Sequence, residues 1–475
     1  MDELLDGDIA GAAEALETGA VSARELTAAA LARIAARDTA LRAFFRVNGD
    51  AALQRAETLD RERRSGSVCG PLHGIPFARK DLFDRAGEIA SCGARRNDAM
   101  PAAATAACLA RLDAAGAVDL GALNMSEHAF HPHGLNALAG PPRNPWDIAR
   151  TGGGSSGGSA VAVAARLVFG SMGSDSGGSI RHPAALCGVV GLLPTRGTIS
   201  RFGMMRSSPS LDAAGPVART ARDCGLLFAA VAGPDARDPA ADMPLFPALA
   251  AEGKTLRGVV LARPAEHQLA TVEGEARKAY EATAATLRGA GAALVEIELP
   301  DWDALNALTA IVFASEVAAT HRERLVADPD AYSPEVRQRM IAGFAYPAVD
   351  YLDALRIRAR MTRSFVGRVF ARAEALLLPS APDVAPRLDE VMPGAVAPRY
   401  DAGAFTLATR ADPGRFTRAF NYLGLPALAL PAGFSAEGMP LGIQLVGRPL
   451  SEYTLFALGE AFQEITDFHR RRPPL

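Results

Sequence analysis

Residues 151–215 constrain the fold more than any other part of the sequence, because they combine many glycines and serines with long apolar runs. Composition alone would favour a flexible linker. A solvated linker, however, has no reason to carry the apolar runs at 160–165 and 187–193. Glycine has no side chain, so it lets one backbone approach another backbone or a ligand closely. The segment therefore predicts a buried, closely packed centre of the fold.

Regular elements precede this centre. Residues 1–40 have the apolar spacing of two amphipathic helices, and Ser22 with Glu25 forms a capping box at the start of the second. The pattern then predicts a strand, a helix and a strand, in chain order, at 74–78, 105–115 and 117–123. Lys80 is expected at the carboxyl end of the first of these strands. This order of elements predicts an α/β sheet covered by helices.

The same alternation resumes from about residue 256. Strands are predicted at 258–261, 293–299, 375–379, 427–431 and 441–446. Helices are predicted at 273–290, 333–373 (interrupted at Pro347) and 453–465. The stretch 232–255, rich in Asp, Pro and Ala, is expected to be a surface excursion. Since no fixed-period repeat and no linker divides the chain, one large domain over 1–475 is expected.

Charge and cysteine usage predict a cytoplasmic protein. The formal net charge of −3 on 475 residues is too small to suggest a nucleic-acid or membrane-surface partner. The N-terminus is acidic and lacks a basic segment followed by an apolar run, so no signal peptide is expected. The cysteines contain no Cys-x-x-Cys pair, which indicates a reducing compartment, and they are Cys69, Cys92, Cys108, Cys187 and Cys224.

Two motifs suggest cofactors that their surroundings do not support. Residues 152–157 contain G-x-G-x-x-G, but the preceding 144–150 are turn-like, whereas a dinucleotide site requires a preceding strand. His128, His131 and His133 could bind a metal, but the helical H-E-x-x-H form is absent. A loop that lines a pocket, or plain surface, is the preferred interpretation. No metal and no cofactor are therefore expected.

The run at 170–183 places Ser179 after two glycines and before an apolar residue. A serine in this position can lie on a tight turn that exposes its hydroxyl. The glycines let successive backbone N–H groups converge on one point, as an oxyanion hole requires. From the residues alone, a glycine turn with a surface serine remains an alternative.

The combination of segments resembles the amidase signature family. The central matches are 153–159, 173–183 and 187–192. Further matches lie in the same order on both sides, at 74–81, 123–127, 143–147, 210–216 and 438–449. The resemblance covers nearly the whole chain. It implies one domain with a central mixed, mostly parallel twisted sheet covered by helices on both faces.

The resemblance also implies site residues. In that family a nucleophilic serine, a bridging cis-serine and a lysine form a triad, here Ser179, Ser155 and Lys80. The implied oxyanion-hole donors are the backbone N–H groups of Ser176, Gly177, Gly178 and Ser179. The implied supporting residues are Ser156, Asp175 and Arg181. The implied substrate-pocket residues are Met125, His128, His131 and His133. Leu193, Gly152 and Arg79 depart from the usual pattern without removing a triad member.

The function implied is hydrolysis of an acyl C–N bond through an acyl-enzyme. A serine hydroxyl needs a base to take its proton during attack, and Lys80 can serve only when neutral, which burial favours. The expected substrate is a small or aryl amide, anilide, carbamate or urea derivative, with no nucleic-acid or membrane partner, and a homodimer is one option. The alternatives are the glutaminase subunit of a tRNA-dependent amidotransferase and a partner-dependent non-catalytic subunit.

The resemblance further implies a division of labour along the chain. N-terminal helices would occupy 1–40, the catalytic core about 70–225, and a half that shapes the substrate pocket about 256–470. Loops of that second half would supply much of the pocket, where a single sequence offers little constraint.

Overall fold

The computed structural model describes residues 1–95, 99–243, 255–272, 274–392 and 412–475. Of the surface excursion predicted at 232–255, residues 244–254 lie outside the described residues. The helices of the described part are α1 Asp2–Asp6, α2 Ile9–Glu17, α3 Ala23–Leu41, α4 Gly49–Arg64, α5 Ala107–Ala114, α6 Gly157–Ala164, α7 Arg181–Cys187, α8 Ala221–Val231, α9 Gly274–Gly289, α10 Trp302–Ala327, α11 Pro334–Ala342, α12 Ala348–Val369, α13 Leu388–Val391, α14 Arg418–Leu423 and α15 Glu452–Glu464.

The strands are β1 Phe44–Val47, β2 Pro76–Lys80, β3 Val118–Leu123, β4 Arg143–Asn144, β5 Asp147–Thr151, β6 Gly170–Asp175, β7 Val190–Leu193, β8 Ala213–Ala218, β9 Val260–Pro264, β10 Ala293–Ile297, β11 Ala375–Pro379, β12 Ala427–Phe434 and β13 Pro440–Val446. Within the described residues, all strands except β4 and β5 belong to one 11-stranded sheet in the order β1-β3-β2-β6-β8-β7-β12-β13-β11-β9-β10. Strands β4 and β5 pair separately with each other.

The large sheet is mixed. Strand β2 lies parallel to β3 and to β6, and β9 lies parallel to β10 and to β11. Antiparallel pairs join β6 to β11 through β8, β7, β12 and β13. The main hydrophobic core of the described residues extends from Leu5 to Phe462, and two smaller clusters accompany it. The predicted α/β fold, with one large domain and a mixed central sheet covered by helices, is confirmed.

Local signals predicted many element positions, and two of the differences have a clear physical reason. The first predicted helix divides into α1 and α2, because the Asp8 side chain accepts the N–H of Gly11 and starts a new helix. The capping box of Ser22 and Glu25 opens α3 as predicted. The 26-residue helix α10 has no counterpart among the predicted elements. Apolar residues lie on several faces of this helix. The sequence therefore lacks the 3.6-residue period that marks a helix with one buried face.

Length and composition would allow α10 to cross a membrane. Its most apolar window has a mean hydropathy of 1.2, and 56% of that window is buried inside the fold. Burial of this kind also occurs in a core helix of a soluble protein. Buried residues of α10 include Glu316 and His321, which bond to other parts of the fold.

The glycine-rich centre is buried, as its composition predicts. Every residue of α6 and of β6 is buried. Gly158 in α6 lies against backbone on two sides, since a Cβ there would come 2.4 Å from the carbonyl oxygen of Asn124 and 2.5 Å from that of Ala43. Its own N–H donates to the Asn124 carbonyl at 2.9 Å. Because Gly158 has no side chain, α6 can pack against the backbone of Asn124, directly after β3. This contact positions the loop that precedes α6.

Gly158→Ala should destabilise the fold by at least about 1–3 kcal/mol, because the added methyl meets backbone that cannot move aside. The measurement is the midpoint of thermal or denaturant unfolding. Gly367→Ala is the matched control, since Gly367 lies in α12 with nothing within 4 Å of an added Cβ. The control should be neutral or stabilising by up to about 1 kcal/mol. Equal stability of Gly158→Ala and wild type would contradict the close approach.

Candidate active site

Two neighbouring parallel strands bring the predicted catalytic residues to one edge of the sheet. Lys80 is the last residue of β2, and Asp175 is the last residue of β6. Their register pairs Arg79 with Met172, so both strands end close together. The segment with Ser179 follows β6 directly and leads into α7. Polar groups at the carboxyl ends of parallel strands form the usual site position in open α/β sheets.

The ammonium group of Lys80 lies among serine hydroxyls. Its Nζ donates to Ser155 Oγ at 2.7 Å, to Ser174 Oγ at 2.9 Å and to Ser156 Oγ at 3.0 Å. Lys80 and Ser155 are 0% exposed. Burial lowers the pKa of Lys80 to about 7, although the charges of Asp175 and Asp212 oppose the shift. The amine can therefore be neutral near physiological pH and accept a proton.

Ser179 lies beside this group at the surface of the site. It is half-buried, whereas Lys80 and Ser155 are fully buried. Its carbonyl accepts the N–H of Ser156 at 3.0 Å, which ties the turn of Ser179 to the loop that carries Ser155. The peptide bond between Gly154 and Ser155 is cis. Of the three predicted triad members, Ser179 is thus the one that a substrate from solvent meets first.

One N–H group of the predicted oxyanion turn bonds to a nearby carboxylate. Asp175 Oδ1 accepts the N–H of Gly178 at 2.6 Å, so this N–H points to the carboxylate. Asp175 therefore provides an acceptor that holds the shape of the turn. Donation to an oxyanion by the N–H groups of Ser176, Gly177, Gly178 and Ser179 stays a prediction.

A buried ion pair holds this turn. Arg181 and Asp175 are both 0% exposed, and Arg181 Nε donates to Asp175 Oδ2 at 3.0 Å while Nη2 donates to Oδ1 at 3.1 Å. Burial alone would raise the pKa of Asp175, but the charge and hydrogen bonds of Arg181 lower it below its usual value. The pair is therefore ionised, and it fixes the start of α7 relative to β6.

Residues that carry no local sequence signal complete the pair from the C-terminal half. Asn421 donates to the carbonyl of Asp175 at 2.9 Å and accepts from Arg181 at 2.8 Å. Thr417 donates to the carbonyl of Gly177 at 2.7 Å. Sequence reasoning missed both residues, because their partners are more than 230 positions away. Gln444 accepts from Arg181 at 3.1 Å, and it lies in the segment 438–449 that carries part of the family resemblance.

A second carboxylate contacts the turn from another side. The hydroxyl of Ser176 donates to Asp212 Oδ1, and Asp212 Oδ2 accepts the N–H groups of Ser207 at 2.8 Å and Ser208 at 3.0 Å. Burial raises the pKa of Asp212 to about 6, although these hydrogen bonds oppose the shift. Asp212 therefore connects the loop at 205–208 with the predicted oxyanion turn.

The predicted pocket residues separate into two groups. His131 and His133 lie with His182, at ring-centroid distances of 5.3 Å between the first two and 6.4 Å between the last two. Burial lowers the pKa of His131 to about 3 and that of His182 to about 4, so both are neutral at physiological pH. His128 instead packs 4.9 Å from both His321 and Tyr332. Met125 is fully buried.

These histidines do not form a cluster of metal ligands. In the described part of the chain, the group of ligand atoms close enough to hold a metal ion consists of Glu62, Cys69 and His73, within 4.8 Å of one another. There the His73 nitrogens already contact the N–H of Cys69 at 3.3 Å and the carbonyl of Leu59 at 3.0 Å. The backbone is left-handed at His128 and at Ala129, so the chain turns between His128 and the pair of His131 and His133.

The chain matches a known protein family and named relatives over most of its length. Residues 25–456 match the protein family described as Amidase. The chain is 37% identical to the A subunit of glutamyl-tRNA(Gln) amidotransferase from Ralstonia nicotianae, over 95% of this chain and 96% of that protein. It is also 36% identical to the corresponding protein of Chloroflexus aggregans, which bears the same name, over 100% of this chain and 99% of that protein.

A solved structure shares the fold closely. It belongs to a vestigial protein complex described as revealing the evolutionary origins of an s-triazine catabolic enzyme. The TM-score is 0.88 at 34% identity, with 96% of this chain and 98% of that chain covered.

These relatives correct one expectation from the sequence. A small-molecule substrate without a nucleic-acid partner, and a homodimer as one option, were expected from the weak net charge and the resemblance. Relatives of nearly equal length are named as subunits of a tRNA amidotransferase, and the solved structure is part of a protein complex. The expectation is therefore wrong, because net charge reports the average of the surface and not a local contact with a partner.

The family match covers most of the chain, and identity to the relatives exceeds one third over nearly the full length. At the sheet edge, the buried Lys80 donates to the hydroxyls of Ser155 and Ser156. The chain belongs to the amidase signature family of amidohydrolases.

Proposed function

We propose that the chain is the glutaminase subunit of a tRNA-dependent amidotransferase in the cytoplasm. It would release ammonia from glutamine for a partner protein that amidates glutamate on tRNA(Gln). The relatives named as amidotransferase subunits support the assignment of partner and substrate. The observation that carries the chemistry is Lys80, fully buried and bonded to three serine hydroxyls.

The first step of the proposed reaction is attack by Ser179. Its Oγ bonds to the carboxamide carbon, and its proton passes to Ser155 while the Ser155 proton passes to neutral Lys80. Burial supports this role, because it lowers the pKa of Lys80 to about 7. The developing oxyanion would accept hydrogen bonds from N–H groups of the turn at 176–179.

The second step expels ammonia. The proton on Lys80 returns through Ser155 to the leaving nitrogen, because an amide anion is too basic to leave without it. The C–N bond breaks and the acyl group remains on Ser179. Water then attacks the ester carbon, its proton follows the same relay to Lys80, and glutamate leaves as Ser179 regains a proton. The hydrogen bonds of Nζ to Ser156 and Ser174 would keep Lys80 oriented through both steps.

Positioning residues support the turn during both steps. The ion pair of Asp175 and Arg181 holds the backbone that carries Ser179, and Asn421 joins it from α14. A fixed turn costs no reorganisation when charge develops on the oxyanion. We assign structural roles to Asp175 and Arg181 and a relay-tuning role to Ser156.

Ser179→Ala should lower kcat by at least about 10⁴-fold, since removal of the nucleophile disables the whole relay. Ser155→Ala should lower it severely as well, because the proton path to Lys80 is interrupted. The measurement is ammonia release from glutamine, together with labelling by a fluorophosphonate. Ser67→Ala, at an exposed serine, is the control and should retain activity. Full activity of Ser179→Ala would refute the assignment of the nucleophile.

The activity should rise with pH through about 7 and then level off. Neutral Lys80 is the active form, and its pKa is lowered to about 7, so kcat/KM gains about tenfold per pH unit below that value. The measurement is kcat/KM from about pH 5 to about pH 9, a range that brackets this pKa. Lys80→Arg should be inactive over the whole range, because a guanidinium keeps its proton. A flat profile across this range would contradict a lysine base.

The partner requirement can be tested directly. We expect ammonia release from glutamine to rise when the chain is combined with the remaining subunits of the Ralstonia nicotianae amidotransferase, ATP and glutamyl-tRNA(Gln). Controls omit the tRNA or replace the chain by its Ser179→Ala variant. Efficient hydrolysis of peptide amides, anilides or ureas by the chain alone, with no activity on glutamine in any mixture, would overturn the glutaminase assignment and leave the chemistry intact.

A further inference from the structure

Asp212 is a buried carboxylate that takes part in no step of the proposed reaction. It is 3% exposed and lies directly before β8. It accepts hydrogen bonds from the Ser176 hydroxyl and from the N–H groups of Ser207 at 2.8 Å and Ser208 at 3.0 Å. All three donors are neutral, and no lysine or arginine in the described part of the chain bonds to Asp212. A buried charge without a bound cation is costly, so a functional reason for it is worth seeking.

The sheet places Asp212 at the same edge as Lys80. Strands β2, β6 and β8 are neighbours in that order, and the register pairs Ser174 of β6 with Ala214 of β8. Lys80, at the end of β2, donates from Nζ to Ser174 Oγ at 2.9 Å. Neighbouring strands lie about 4.8 Å apart, so the backbones of β2 and β8 are roughly 10 Å apart. A charge at this distance acts on the amine in a protein interior.

The loop that precedes Asp212 is held from two sides. On one side the N–H of Met205 donates to the carbonyl of Leu82 at 2.9 Å, directly after β2. On the other side Glu316 of α10 accepts the hydroxyl of Ser208 at 2.6 Å. The loop therefore connects the strand of the predicted base with the helical part of the second half, and it fixes the position of the Asp212 carboxylate.

Two carboxylates act by charge on Lys80, and they differ in how their own charge is balanced. Burial lowers the pKa of Lys80 to about 7, and the charges of Asp175 and Asp212 oppose the shift. Asp175 forms an ion pair with Arg181, which offsets its charge. Asp212 has only neutral donors as partners. Burial raises the pKa of Asp212 to about 6, so the group is ionised over most of the range in which Lys80 titrates.

Further charged or titratable groups surround these residues. Arg201 acts on Asp212 by charge, but its guanidinium is paired with Asp238. Cys92 has a weaker effect on the buried amine than either carboxylate. The groups that contact the loop, or its anchor in α10, from other elements are Glu316, Tyr351, Arg358 and His128. Asp212 differs from all of these groups because it also bonds to the turn at 176–179.

We propose that Asp212 is a positioning residue of the hydrolase site, which holds the turn at 176–179 through the Ser176 hydroxyl and acts on Lys80 by its negative charge. The inference rests on the proposed roles of Ser179 and Lys80, but not on glutamine as the substrate. Asp212 exchanges no proton with the substrate and forms no bond to it. Its contact limits the motion of the turn, and its charge favours the protonated amine. Asp212 thereby sets the pH above which the base is available.

Removal of the charge should move the pH dependence of the site. Asp212→Asn keeps the size of the side chain without its charge, so the pKa of Lys80 should fall and the neutral amine should persist to lower pH. The measurement is the rate of Ser179 labelling by a fluorophosphonate from about pH 5 to about pH 9, with Ser179→Ala as the blank. We expect the acid limb to move to lower pH by about 0.3–1 unit. The shift should be largest in the upper part of the limb, where Asp212, with its pKa of about 6, is ionised.

Two variants separate the charge from the shape of the loop. Glu316→Gln is the matched control, because it makes the same chemical change on the opposite side of the same loop, and its acid limb should coincide with that of wild type. Asp212→Glu keeps the charge and lengthens the side chain. It should be labelled more slowly, with an acid limb near that of wild type. A purely structural role of Asp212 would lower the labelling rate and leave the acid limb in place in every variant.

Ser176→Ala tests the contact with the turn. Loss of the hydroxyl releases the turn from the carboxylate and leaves the backbone N–H of residue 176 in place. The labelling rate at about pH 9 should fall by at least about threefold. Ser67→Ala, at an exposed serine, is the control and should be labelled as wild type is. Unfolding midpoints establish that the variants fold, and this test does not depend on the folding of Asp212→Asn.

The outcomes separate this inference from the choice of substrate. An acid limb that stays in place in Asp212→Asn, or that moves equally in Glu316→Gln, would overturn the inference. A wild-type labelling rate in Ser176→Ala at about pH 9 would overturn it as well. Labelling requires no glutamine, so an error in the proposed substrate would leave these results unchanged.

Discussion

Burial of the Lys80 ammonium group among serine hydroxyls is the interaction on which the rest of the site depends. A charged amine in a protein interior is costly unless it is fully hydrogen-bonded, and here Ser155, Ser156 and Ser174 occupy its donors. The same desolvation lowers its pKa to about 7. One arrangement therefore satisfies the buried group and lets it lose its proton near neutral pH.

The turn that carries Ser179 depends on contacts between distant halves of the chain. Arg181 and Asp175 lie in the first half, but Asn421 and Gln444, which bond to Arg181, lie in the second. Removing one partner of such a buried pair would leave an unpaired charge in the interior, which typically costs about 3–5 kcal/mol. The shape of the turn is thus a property of the whole domain, and the two halves must pack before Ser179 is positioned.

Much of the fold could be predicted because its signals are local. The Ser22 capping box, the strand that ends at Lys80 and the buried glycine-rich centre depend on residues that are neighbours in sequence. The missed helix α10 shows the limit of such signals. Buried residues lie on many faces of α10, so its sequence lacks the 3.6-residue period that marks a single apolar face. Its polar residues have meaning only through partners such as Ser208 and Tyr332.

The sequence by itself determined the family and the identities of Lys80, Ser155 and Ser179 as candidates, since these rest on residue types in a fixed order. Only the tertiary structure showed that the Gly178 N–H bonds to the Asp175 carboxylate, because this contact depends on how the turn folds back on the end of β6. It also separated His128 from His131 and His133 and placed it across from α10. Distances between side chains far apart in sequence arise from packing, and no local pattern encodes them.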